Sequence, residues 1–153
     1  MTDSALPWRS WARVVRLRVR LIWPEVVVIQ VCVLVAALLR GVDYLVPPLT
    51  GTGTLSVVER TMPLPAWGAL FLAGGLLGLV GLRIDRWPLA SIGHAILAAV
   101  YAVFAVGAFW EVLNRSPVEG WRTPTDWLLV FAVVHWGFAD AALDVWRERR
   151  RSG

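Results

Sequence analysis

The chain has 153 residues, of which 58% are hydrophobic and 17% charged, with a mean hydropathy of +0.62. A soluble domain is about 45–50% apolar and about 25% charged, so this composition counts against a soluble enzyme and excludes a disordered or collagen-like chain. It leaves room for about four or five membrane spans of roughly 20 residues each, and none for a separate catalytic domain.

Fifteen basic residues, all of them arginine, outnumber eleven acidic ones. In so apolar a chain the anion they meet is a lipid headgroup rather than nucleic acid. Cys32 is the only cysteine, so no internal disulfide can form. Its apolar surroundings predict a buried, inert thiol.

At the N-terminus, Arg9, Arg13, Arg16 and Arg20 fall on one helical face. Trp8, Trp11, Ala12, Val15, Val19 and Ile22 fall on another. This pattern predicts a basic amphipathic interfacial helix over residues 1–23, with those arginines at lipid headgroups. The first span follows at 24–39, with Gln30 as its strongly polar interior residue. A basic start before an apolar run resembles a secretory signal, but LLRGVDYL offers no small-x-small cleavage site, so the span is read as uncleaved. Residues 40–65 are rich in breakers, with a short surface helix expected over Leu55–Thr61. Pro63 and Pro65 then suit the first turn of the next helix.

The second span, 66–82, carries Gly74, Gly75, Gly78 and Gly81. Small residues at helical spacing let backbones approach closely in lipid, either within the chain or between copies. After a turn at Arg83, Asp85 and Arg86 comes the third span, 87–110, which must be an antiparallel neighbour of the second. Its Ser91, Ala95 and Ala99 continue the small-residue spacing and are expected to meet the glycine face. The polar segment 111–124 ends at Thr123, a helix cap, with Pro124 and Asp126 in the first turn. The fourth span is 125–146. A basic tail, 147–153, puts Arg149 and Arg150 at the headgroups.

With these spans, eleven arginines fall on one side of the membrane and four on the other. The positive-inside rule then places both termini in the cytoplasm, in a multi-pass protein of the cytoplasmic membrane. Trp23, Trp67, Trp87, Trp110, Trp127 and Trp146 lie near span ends, where amphipathic rings settle. The fold class is therefore all-α: a four-helix transmembrane bundle with an N-terminal amphipathic interfacial helix.

Ionisable groups inside spans are functional candidates. Counting about 1.5 Å per residue from the terminal tryptophans puts Gln30, His94 and Asp140 at one depth. Asp140 is expected to bond His94, with Gln30 nearby. Tyr101 and His135 fall deeper, near mid-membrane. Two readings stay open: polar glue between helices, or a proton or ion path through His94, Asp140, His135 and Tyr101. No catalytic constellation, metal-ligand spacing or phosphate-binding loop is present in the sequence, so no enzyme, metal or cofactor is expected.

Two stretches, LSVVERTMPLPAWGALFLAGG and GWRTPTDWLLVFAVVHWGFADAALDVWRERR, together resemble the small four-span membrane proteins encoded by phages of actinobacteria, often near lysis genes. The resemblance covers roughly residues 40–150. It implies a holin-like or lysis-associated role, in which copies accumulate in the cytoplasmic membrane, oligomerise and permeabilise it. Two other roles stay open: an accessory subunit of a membrane complex or a superinfection-exclusion factor, and a small ion or drug transporter. The partners expected are anionic lipid and either further copies or another membrane protein. A transporter of this size usually holds a carboxylate well inside its first span, whereas here Glu25 sits at the edge.

Overall fold

A computed structural model of the chain describes residues 23–46, 58, 60–114 and 122–152. The expected interfacial helix, with Arg9, Arg13, Arg16 and Arg20, lies outside these residues except for its last position, as do most of the surface helix expected at Leu55–Thr61 and residues 115–121. The elements are α1 (Trp23–Leu45), α2 (Leu64–Arg83), α3 (Trp87–Leu113), α4 (Arg122–Thr125), a π-helical segment (Asp126–Ala132) and α5 (Val133–Ser152). The last three run on without a break as one rod. Among the described residues there is no strand, and four helices are long and apolar enough to cross a membrane. The protein is an all-α four-helix bundle with the helices of a multi-pass membrane protein.

The helices run past the expected ends. α1 continues through Arg40 and Asp43 to Leu45. The Arg40 guanidinium lies 4.1 Å from the centre of the Trp127 ring, and an aromatic face accommodates a cation at this depth. α2 ends in a Schellman turn: the Arg86 N–H bonds the Gly81 carbonyl at 2.8 Å and the Asp85 N–H bonds that of Leu82 at 3.3 Å. Asp85 holds the left-handed position at φ 56°, which short polar side chains tolerate better than most.

The chain divides into two compact units, Met1–Cys32 and Val33–Gly153. Within the first, Gln30 is buried, Glu25 is exposed, and Cys32 is exposed rather than buried as expected. The run VVVIQVCVLV is apolar all round, so hydrophobicity alone does not say which side of it faces protein.

In the second unit, α2 lies between α1 and α3 and presents glycine to both. A Cβ on Gly75 would sit 2.6 Å from Leu38, and one on Gly68 would sit 2.8 Å from the Gly41 carbonyl. On the other side, a Cβ on Gly74 would sit 2.7 Å from Leu97 and one on Gly81 2.9 Å from Ala90. These glycines are used inside the chain. Their partners on α3 are Ala90, Gly93 and Leu97, and not Ser91, Ala95 and Ala99 as expected from sequence. Ala95 and Ala99 are exposed, and Ser91 turns to α5, where its hydroxyl donates to the Ala139 carbonyl at 2.8 Å. At 3.6 residues per turn, a residue one position along α3 is turned by about 100° and one two positions along by about 160°, so the expected set lies on another side of the helix.

The half of the bundle away from the Asp85 turn is packed with aromatic rings. Trp67 meets Phe104 edge-on at 5.0 Å, Phe71 meets Tyr101 at 5.3 Å, and Trp127 stacks on Phe104 at 5.3 Å. Such pairs contribute about 0.5–1.5 kcal/mol each beyond area burial. Trp67, read from sequence as an interfacial anchor, is instead a core residue, while Trp110 is exposed.

Candidate functional site

The π-helical segment governs what faces Tyr101. An α-helix closes a turn in 3.6 residues, so residues four apart drift around it. The wider π turn reduces that drift. Trp127, Phe131 and His135, spaced by four, all reach Tyr101, with centroid distances of 5.5, 4.9 and 5.4 Å. Isolated π turns are frequent at functional positions.

His135 also meets His94. Both rings are fully buried, and their Nδ1 atoms are 2.7 Å apart. One Nδ1 carries the proton and the other accepts it, so the two neutral rings hold opposite tautomers. The donating ring then has a bare Nε2 and the accepting ring an Nε2–H. Neither Nε2 has a hydrogen-bond partner among the described residues. The surrounding contacts are rings: Tyr101 stacks on His135 at 12° between planes, and Phe138 lies 5.2 Å from His94.

This arrangement corrects the expected bond between Asp140 and His94. The register of α3 against the last rod is fixed by Ser91 with Ala139 and by His94 with His135. Trp146 is therefore not level with Trp87; it lies about 6 Å further along the axis. The shift replaces Asp140 by His135 as the neighbour of His94 and leaves Asp140 exposed. Gln30 belongs to the first compact unit, Met1–Cys32.

The outer face of the last rod has its own character. Leu129, Val133 and Trp136 are exposed at 56%, 52% and 69%, and Gly137 faces open space, where a Cβ would meet nothing within 4 Å. Asp140 continues this face. Beside it lies an open, apolar groove of about 340 Å³ between α3 and the rod, floored by Ala95, Ala98, Ala99 and Ala102. Nearer the tail, Asp144 pairs with Arg147 at 3.3 Å. Arg149, expected at lipid headgroups, bonds the Asp85 carboxylate, and Arg150 lies 4.6 Å from the centre of the Trp146 ring. The Arg149 guanidinium holds the Asp85 carboxyl below the ordinary carboxylate range.

Among the described residues no group of three or more metal-ligating side chains converges. The sequence reading missed the pairing of the two histidines and the π segment. The former was within reach had hairpin register been allowed to slide; the latter left no signal in the residue pattern. No family model matches the chain, and neither the curated proteins nor the solved structures contain a match.

Proposed function

We propose that this chain is a holin-like, non-enzymatic protein of the cytoplasmic membrane that acts by assembling with further copies of itself. The observation that carries this reading is the position of Asp140. It lies in a spanning helix, flanked by Phe138, Ala139, Ala141 and Ala142, about 3 Å along the axis inward from the level of Trp87. It is exposed, and no bond to its carboxylate is found among the described residues. Ionisable side chains inside membranes face a bundle interior or a water-filled cavity. In a single copy Asp140 faces neither. Assembly through the outer face of the rod converts that face into an interior and places the carboxylates along it. The arginine asymmetry orients the assembly, with the Asp85 turn and the C-terminus in the cytoplasm.

The test is inducible expression in bacteria with a potential-sensitive dye. Timed loss of potential after accumulation, delayed or abolished by Asp140→Asn at equal protein level, is expected. Sustained expression with normal potential and growth, for both proteins, counts against permeabilisation and leaves the accessory-subunit role in its place.

A further inference from the structure

We propose that His94 and His135 form a proton-binding site whose occupancy releases α3 from α5. The pair differs from ordinary polar glue in one respect: each ring has a second nitrogen that is buried and unpartnered. The neutral pair therefore has one vacant acceptor, the bare Nε2 of the donating ring. A first proton binds there. The ring becomes an imidazolium and its Nδ1–H still donates to the neutral partner, so the bond survives with a positive charge on it. A second proton takes the remaining lone pair, on the accepting Nδ1. Two N–H groups then point at each other across 2.7 Å, and the rings must part.

The surroundings set the cost of this charge. On α3, the neighbours toward the ring pair are Ser91, committed to the Ala139 carbonyl, and Tyr101, stacked on His135. On α5 the contact is Phe138; Asp140 is exposed, and Asp144 pairs with Arg147. On the π segment the neighbour is Phe131, through Tyr101, with Asp126 exposed. The charged residue of α2 is Arg83, at its end, and in Val33–Leu45 of α1 they are Arg40, over Trp127, and Asp43, exposed. Among the described residues no carboxylate bonds either ring. A positive charge here has no counter-ion among the described residues, and a second proton sets two N–H groups against each other within the packed pair. The stability of the packed bundle is then full above the pH at which free imidazole titrates, near 6.5, and is lost as pH falls below it. This holds whether or not the chain assembles.

The chain contains two histidines, and both are in this pair, so a titration in that window reports the pair directly. Thermal unfolding of the full chain in detergent is followed from pH 7.5 to 5.0 for wild type, for H94F/H135F and for D140N. The expected result is a fall in wild-type Tm of about 5 °C or more, retained in D140N and absent from H94F/H135F. Where the double variant does not fold, ¹⁵N-histidine spectra of the wild type decide. They are expected to show a coupling between the two Nδ1 atoms at pH 7.5, and imidazolium signals appearing together with loss of the coupling on acidification. A flat Tm, an equal slope in H94F/H135F, or protonation that leaves the coupling and packing intact would overturn the proposal.

Discussion

At Gly93 the backbone of α3 lies directly against that of α2, and a methyl group there has a cost that follows from geometry. A Cβ at Gly93 would lie 2.6 Å from the Gly74 carbonyl oxygen and 2.8 Å from the Gly78 Cα. Both are backbone atoms and neither can rotate away. Ordinary contact begins at 3.4 Å, so the helices must separate by most of an ångström. The separation loosens Leu97 from Gly74 and Ala90 from Gly81, and overpacking of this kind costs about 1–3 kcal/mol. Alanine recovers up to about 1 kcal/mol of helix propensity relative to glycine, but so it does at any helical glycine. Gly137 is the control, since a Cβ there meets nothing. Thermal unfolding in detergent should therefore give opposite signs. Gly93→Ala lowers Tm by about 2–8 °C and Gly137→Ala raises it by about 2–4 °C, at roughly 2–4 °C per kcal/mol for a chain of this size. If Gly93→Ala matches Gly137→Ala, the intrachain glycine packing described here is wrong.

Other substitutions test other parts of the bundle. His94→Leu strands the His135 nitrogens in a buried site and should cost about 2–4 kcal/mol from the lost bond and the unsatisfied groups. H94L/H135L should cost less than the sum of the two single changes, and strict additivity in this double-mutant cycle would deny the bond. Arg149→Ala removes the main cause of the lowered Asp85 carboxyl. The Asp85 titration midpoint, followed by NMR, should then rise toward the ordinary carboxylate value. With Arg149 in place, the stability it lends is present above the unfolded carboxyl range and disappears as pH falls through the lowered midpoint. An unchanged midpoint in Arg149→Ala would remove the pair from the account.

Much of the architecture is legible in the residues because lipid imposes long apolar segments and arginine-marked ends. The four spans, the tight turn at Asp85 and the proline start of α2 all follow from local pattern. What does not follow is rotation and register. Cys32 and Gln30 sit two residues apart in a helix apolar on every side, and nothing in that pattern tells the exposed thiol from the buried amide. Ala95 and Ala99 have small-residue spacing as good as that of Ala90 and Gly93, yet they face outward. The polar pairing failed for a related reason. Levelling Trp87 with Trp146 selects Asp140 as the partner of His94, and the true register, offset by about a turn, selects His135. The histidines themselves stood out as intramembrane polar groups, but their mutual bond depends on an offset that composition does not encode. The π segment keeps Trp127, Phe131 and His135 on Tyr101, and it is a backbone adjustment made by tertiary packing.

The assembly reading is tested most directly by counting copies per particle after extraction of the expressed protein from its membrane straight into polymer-bounded lipid discs, without detergent. Two or more copies per disc for the wild type, shifting toward one for Asp140→Asn, is the result that an outward carboxylate buried between copies requires. A single copy per disc at every expression level, indifferent to Asp140, would mean that this carboxylate lives at the lipid surface alone and that the outer face of the rod joins nothing.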